Sequence, residues 1–327
     1  MESHVGVKDP VLSICILNWN TYELVRDCLM SIFADPQAAD WEVVVVDNAS
    51  ADGSVEKIRR EFSQAKIIVS AENLGFSGGN NLALQQVRGC YALLLNSDTL
   101  VEIGALGGLV DFMDSQAQAG VVGPMLLNTD GSLQLSCGIS PSLWSEIVHK
   151  LLLHKLFPFF KLGRWDHAQT RSVGWVTGAC LMVRRQVLDE VGFLDPQFFM
   201  YHEDVEWCLR FKRRGWRVYY YPFSRVVHLG GQSTRKNFSE MLVVSQRSLY
   251  YLFQKHFGRF QVYALRLLTI IEMVLRSLGW SSFFIFNRAR RPECRQRLKA
   301  YQIILIRTLL DRSYWAPMEL DVTKKSS

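Results

Sequence analysis

The chain has 327 residues, 49% of them hydrophobic and 21% charged, with a formal net charge of +6. That length and balance support one large buried core, or one core with an appendage, and exclude a disordered chain. Seven scattered cysteines (Cys15, Cys28, Cys90, Cys137, Cys180, Cys208, Cys294) show no C-x-x-C spacing. They point to buried free thiols in a reducing compartment and away from a disulfide scaffold or a zinc site.

Met1–Pro10 lacks a basic-then-apolar leader pattern, so no secretory peptide is expected. Val11–Asn18 reads as a buried strand, and the helical period of Thr21–Phe33 follows it. Glu42–Asp47, "EVVVVD", is a second strand, rich in β-branched residues. A helix is expected over Ser54–Phe62 and a strand over Lys66–Ser70. A glycine-rich loop, "AENLGFSGGNN", leads to a helix ending near Arg88, and Tyr91–Asn96 is a fourth apolar strand. Beyond Gly120 the pattern is mixed, with an apolar stretch at Leu143–Leu162 and a strand at Trp175–Val183. A helix starts near Glu203, a strand covers about Arg217–Tyr221 before His228, and the tail from Ser239 is helical. Apolar strands alternating with helices predict an α/β fold with a mostly parallel, doubly covered sheet. Such sheets bind ligands at the carboxyl ends of their strands.

Each of the four strands delivers polar residues to that edge. They are Asn18 and Asn20, then Asp47 and Asn48, then the Asn73–Asn81 loop, then Asn96-Ser97-Asp98. One such ending is turn chemistry; four together describe a site. "GFSGGN" lacks the G-x-G-x-x-G spacing and no G-x-x-x-x-G-K-[ST] loop occurs, which excludes the familiar NAD and ATP cradles. Asp98 is a hard oxygen ligand suited to Mg²⁺ or Mn²⁺ beside a diphosphate, or simply a turn residue. His228 is a second candidate ligand, or a hydrogen-bonded structural histidine. Glu203 and Asp204 could cap a helix, or could serve as a general base in a partly desolvated cleft.

The ordered set "SICILNWN", "VVVVDNAS", "NLGFSGGNN", "LLLNSD", "WVTGACLMVRR", "GFLDPQFFMYHEDVEWCLR" and "VVH" resembles the family-2 inverting glycosyltransferases with the GT-A fold. It is most similar to the bacterial rhamnosyltransferase-type members that build surface polysaccharides. The resemblance covers about Pro10–Gly231 and implies a catalytic domain over residues 10–235, with a helical, basic extension over 236–327. It also implies that the family's D-x-D element falls on Asn96-Ser97-Asp98, with Asn in place of the first Asp. Asp98 then carries Mg²⁺ or Mn²⁺, Asn96 contacts ribose or sugar, and His228 completes the metal site. By the same resemblance Asp204 is the base and Glu203 positions the acceptor. Asp47 and Asn48 lie where the family recognises base and ribose, while Asn73, Gly75 and Asn80 line the donor loop. Asn18 and Asn20 belong to the same substrate edge.

The implied reaction moves a sugar from a nucleotide-diphospho-sugar, dTDP-rhamnose favoured, to a saccharide or lipid-linked saccharide acceptor. UDP-hexose and UDP-galactofuranose are alternative donors, and a non-catalytic sugar-nucleotide or glycan-binding module is an alternative of another class. Leu267–Phe286 has the length of a membrane span but is interrupted by Glu272 and Arg276, whose i,i+4 spacing suits a pair on a helix surface. A peripheral or core amphipathic helix is therefore expected, at the inner face of the cytoplasmic membrane. The run Arg288–Lys299 holds six basic residues and one acidic one. It suits anionic lipid, and nucleic acid is not expected as a partner because no recognition motif accompanies it.

Overall fold

The computed structural model describes residues 9–151, 153, 165–230, 238–287 and 290–315. The chain divides into two compact units, Met1–Ser140 with Trp165–Gln232 and Pro141–Arg164 with Ser233–Ser327. The domain boundary expected at 235/236, and nearly all of 152–164 in the apolar stretch Leu143–Leu162, lie outside the described residues.

In chain order the elements of the first half are β1 (Leu12–Asn18), α1 (Tyr22–Phe33), β2 (Trp41–Asp47), α2 (Ser54–Glu61), β3 (Lys66–Val69), α3 (Gly75–Leu84), β4 (Tyr91–Asn96), β5 (Thr99–Val101) and α4 (Ala105–Ser115). Then come β6 (Ala119–Leu127), β7 (Leu133–Gln134), β8 (Cys137–Gly138) and α5 (Leu143–Lys150), the last of these in the second unit. The first unit resumes with β9 (Arg171–Ser172), β10 (Trp175–Val176), β11 (Cys180–Arg184), α6 (Arg185–Val191), α7 (Glu203–Arg213) and β12 (Arg217–His228).

The main sheet runs β3-β2-β1-β4-β11-β6-β12-β5. The first four strands are parallel, in a register that sets Asn18 opposite Asp47 and Leu17 opposite Asn96. The alternation of their side chains explains why the inner strands β1, β2 and β4 are almost wholly apolar. Leu12, Ile14, Ile16, Val43, Val45, Leu93 and Leu95 face a core shared with α1, α2 and α4. Cys15, Val44, Val46, Ala92 and Leu94 face the opposite core, with Trp207, Cys208 and Phe211 of α7. Each fully buried aliphatic side chain contributes about 1.5–3 kcal/mol of transfer free energy, and here both faces of every central strand collect it.

Two expectations need correcting. The glycine-rich stretch is not a loop, because Gly75 to Leu84 are helical. Gly75 has φ +71, and a Cβ there would collide with the carbonyl oxygen and ring of Phe199. Gly79 likewise lies directly against Leu17 of β1, so missing side chains let α3 close onto the sheet. The strand expected at Trp175–Val183 is broken into β10 and β11 by Thr177-Gly178-Ala179. β11 also enters the sheet antiparallel to both β4 and β6. That orientation brings its amino end, and not its carboxyl end, to the polar edge of β4.

The second unit holds α5, α8 (Phe238–Phe257), α9 (Arg259–Phe286), α10 (Arg291–Leu310) and α11 (Arg312–Trp315). Glu272 and Arg276 do pair, at 2.8 Å, but Glu272 is inside the unit and not on its surface. The buried Lys150 of α5 reaches it at 2.8 Å and also bonds Gln246 of α8 at 3.1 Å. A buried ammonium is tolerable only when paired in this way. Among the described residues no helix is long and apolar enough to cross a membrane.

Candidate active site

At the ends of β1 and β2 the polar residues are knotted to one another. Asn18 donates through Nδ2 to Asp47 Oδ2 at 2.9 Å and to Ser50 Oγ at 3.2 Å. Asp47 Oδ1 accepts the Ser50 N–H at 2.9 Å, and Asn20 Oδ1 accepts that of Ala51 at 2.7 Å. Thr21 donates to Asn18 Oδ1 at 2.9 Å and lies 3.4 Å from Ser97 Oγ, which ties this cluster to the end of β4. Asn48, itself buried, donates to Asn73 Oδ1 (2.9 Å) and the Gly75 carbonyl (3.2 Å), and accepts from the Leu74 N–H (2.9 Å). Asn80 is buried within α3 and donates to the Phe76 carbonyl at 2.9 Å. Asn48 and Asn80 thus shape the walls, while Asn20 and Asn73 remain more open to solvent.

The stretch Gly75-Phe76-Ser77-Gly78-Gly79 carries the letters of a serine-hydrolase elbow, but the geometry is wrong for a nucleophile. Ser77 lies within α3, is wholly buried, and its Oγ has no hydrogen-bond partner.

The second cluster stands where β4 and β12 end. His228 Nε2 is 3.2 Å from Asp98 Oδ1 and 3.3 Å from Asn96 Nδ2. Its other nitrogen, Nδ1, is 2.6 Å from Gln134 Oε1, an atom that can only accept, so Nδ1 carries the hydrogen. Gln134 is oriented in turn by donating to Asn128 Oδ1 at 2.9 Å and to the His228 carbonyl at 3.2 Å. Nε2 is then the nitrogen that faces Asp98 Oδ1 and the Asn96 amide, in position to share a cation with that carboxylate. No group of three or more His, Cys, Asp or Glu side chains gathers as a metal site among the described residues. One carboxylate and one imidazole nevertheless fit a Mg²⁺ or Mn²⁺ ion that takes its remaining ligands from phosphate oxygens and water.

The third cluster opens α7. Glu203 is only 6% exposed, and its Oε2 has no partner. Burial first, and the neighbouring Asp204 charge second, push its carboxyl well above the ordinary range. Burial also raises Asp204, against the N–H groups of Gly178 and Val205 and the Thr177 hydroxyl, all of which favour the carboxylate. Gly178 N–H donates to Asp204 Oδ2 at 2.9 Å. The next carbonyl, that of Ala179, accepts the Asn96 N–H at 2.9 Å. Two hydrogen bonds through the amino end of β11 therefore join the Glu203–Asp204 pair to the Asn96–Asp98 turn.

Among the described residues five non-glycine residues have positive φ, and four of them border these clusters: Asn20, Ala49, Tyr201 and His202. Left-handed conformations of this kind cost about 1–3 kcal/mol each and concentrate at functional sites. Every site residue expected from sequence falls in one of the three clusters or in their walls. Thr21, Gln134 and Gly178 are site residues that the sequence does not mark, whereas Ser50 and Ser97 lie in the polar strand ends without an assigned role. Ser50 and Ser97 stand inside quoted motifs and could have been found by their spacing to Asp47 and Asp98. Gln134 has no local signal, being 94 residues from the histidine it orients.

Comparison with known proteins points in one direction. A family model described as "Glycosyltransferase like family 2" matches residues 10–247. The N-acetylglucosaminyl-diphospho-decaprenol L-rhamnosyltransferase of Mycobacterium tuberculosis is 28% identical over 278 residues, covering 79% of this chain and 87% of that protein. The rhamnosyltransferase WbbL of Escherichia coli is 25% identical over 238 residues, covering 69% of this chain and 86% of that protein. Among solved structures, the mannosyltransferase PcManGT from Pyrobaculum calidifontis in complex with GDP-Man and Mn²⁺ superposes with a TM-score of 0.58 at 17% identity, covering 94% of this chain and 89% of that one. The fold is that of the GT-A glycosyltransferases.

Proposed function

From its membership of glycosyltransferase family 2, we propose that this chain transfers rhamnose from dTDP-rhamnose, with inversion, to a hydroxyl of a saccharide or lipid-linked saccharide. The product is a cell-surface polysaccharide, and the enzyme works at the inner face of the cytoplasmic membrane. The donor sugar and the lipid-linked acceptor are supported by the names of the two bacterial relatives. The observation that carries the reading is the link from Asp204 through Gly178 and Ala179 to Asn96, which ties a base to a diphosphate-binding turn.

Asp204 removes the proton of the acceptor hydroxyl as that oxygen attacks the anomeric carbon. The bond from this carbon to the diphosphate oxygen breaks on the opposite face, and the proton ends on Asp204. A carboxyl raised by burial is a stronger base than a solvated one. Glu203, whose carboxyl burial and the Asp204 charge raise above the ordinary range, positions the acceptor through a hydrogen bond. Asp98 and His228 would hold a Mg²⁺ or Mn²⁺ ion, which when bound would supply Lewis-acid stabilisation of the charge that grows on the leaving diphosphate. Gln134 keeps the His228 ring turned to that task, and Asn96 meets the ribose or the sugar. Asp47 and Asn18 hold the base and ribose end, with Asn48, Gly75 and Asn80 fixing the walls.

The test offers dTDP-rhamnose, UDP-hexoses and UDP-galactofuranose, with and without Mn²⁺ or Mg²⁺, to the full chain and a polyprenyl-diphospho-saccharide. Metal-dependent transfer from dTDP-rhamnose, with inverted anomeric configuration by NMR, is the expected result. Turnover of none of the donors with these acceptors would overturn the assignment.

A further inference from the structure

Among the described residues, helix α9 turns one side to its own unit and leaves the other bare. Val262, Leu265, Thr269, Glu272 and Met273 are buried, and the helix packs against α5, α8 and α10. On the opposite side Phe260, Tyr263, Leu267, Ile271, Val274 and Leu278 succeed one another at steps of three and four residues, which makes them one stripe of a helical surface. Phe260 is 81% exposed, Leu267 60% and Leu278 64%. From Phe260 to Phe286 no exposed residue of this helix carries a charge. At the α-helical rise this bare side is about 40 Å long. Single exposed apolar residues are ordinary, but a continuous stripe of this length marks a surface that something covers.

The charges beyond its far end are basic. Arg290, Arg295 and Lys299 are exposed, within a run over 288–299 of six basic residues and one acidic one. The Arg291 guanidinium lies 5.4 Å from the centre of the Phe284 ring, and that of Arg297 lies 4.5 Å from the centre of Trp280. The basic run is thereby held at the end of the stripe. A helix with one apolar side, too polar to span a bilayer and flanked by arginines, fits the plane between acyl chains and anionic headgroups. The charged trio Lys150, Glu272 and Arg276 does not oppose this, since Glu272 is on the buried side of the helix and holds both cations. Pairing α9 in parallel with a second copy would instead bring two basic runs together.

We propose that the bare side of α9, with Arg290, Arg295 and Lys299, docks this chain on an anionic lipid bilayer. The proposal deepens the reading of a lipid-linked acceptor and rests on it for the purpose of docking, while the surface itself stands on the geometry of α9. Hydrophobic insertion of the stripe supplies most of the attachment, and the basic run selects anionic membrane.

The test sediments the full chain with vesicles of phosphatidylcholine alone and of phosphatidylcholine with phosphatidylglycerol, without any sugar donor. Binding is expected to the anionic vesicles and to weaken as salt is raised. The triple change Arg290→Gln, Arg295→Gln, Lys299→Gln gives up one ring contact, that of Arg295 over Phe284 at 5.8 Å, a ring that Arg291 also covers, and is expected to weaken binding about 100-fold, at roughly fivefold per basic residue. Leu267→Glu with Leu278→Glu is expected to abolish it, with circular dichroism confirming the fold of both variants. Wild-type protein that ignores both vesicles, or binds them equally, overturns the proposal. So does a stable dimer that the two glutamates dissociate without any change in vesicle binding. Vesicle binding without turnover of any donor would keep the surface and sink the enzymatic reading, whereas transfer to a soluble acceptor without vesicle binding would do the reverse.

Discussion

Where β1 and β2 end, the buried side chains Asn18, Asp47 and Asn48 have their hydrogen-bonding atoms engaged by neighbours. Where α7 begins, Glu203 is equally buried but leaves Oε2 without a partner, beside an Asp204 that burial also makes more basic. The first region is a satisfied polar network, whose worth is a fixed geometry. The second holds carboxyl groups in an environment that disfavours their charge, whose worth is reactivity. One region is therefore suited to holding a ligand and the other to moving a proton.

Asp204→Asn separates the two most sharply. It should lower transfer about 10²- to 10⁴-fold, the usual worth of a general base, while calorimetry finds donor-nucleotide affinity almost unchanged. Substantial remaining transfer would move the proton acceptor elsewhere. Next in size, Gln134→Leu should weaken Mn²⁺ binding about 10- to 100-fold, read from the electron paramagnetic resonance of free Mn²⁺. Gln134→Glu, which keeps an acceptor for His228 Nδ1, should restore most of it; unchanged affinity in the leucine variant would detach His228 from the metal.

At the satisfied edge the effect should be on stability. Asp47→Ala removes one of the two acceptors of the Asn18 amide and strands the Ser50 N–H, and should cost about 1–3 kcal/mol in denaturant unfolding. A negligible cost would mean that solvent already satisfies these groups. The smallest effect should come from Glu203→Gln, and its sign depends on pH. A carboxyl raised on folding contributes stability in its protonated form below the ordinary value of 4.5, and this is lost as pH rises through the folded value. The variant should therefore melt close to the wild type at acid pH and above it at alkaline pH. A melting-temperature difference that does not grow with pH would show that Glu203 is not held protonated.

The sequence was most legible where neighbouring residues decide the outcome. Four apolar runs predicted β1, β2, β3 and β4 to within a residue or two at each end; burial on both faces leaves β1, β2 and β4 little choice of residue, whereas β3, at the sheet edge, is exposed at Lys66 and Val69. The turns Asn96-Ser97-Asp98 and Glu203-Asp204 stood out because polar residues there interrupt apolar or aromatic surroundings. Less legible was the helical state of Gly75–Leu84, since glycines ordinarily signal a loop. Only contact with Phe199 and Leu17 makes their lack of side chains useful.

By itself the sequence determined where β1 to β4 lie, the family and the polar residue types at the ends of those strands, because periodicity and ordered motifs are local properties. The tertiary structure alone decided that β11 runs antiparallel to β4, placing Gly178 on Asp204 and Ala179 on Asn96. It alone decided that Gln134 orients His228 and that α9 keeps a bare apolar side. These outcomes follow from which surfaces meet between residues far apart in the chain, and no local pattern records such meetings.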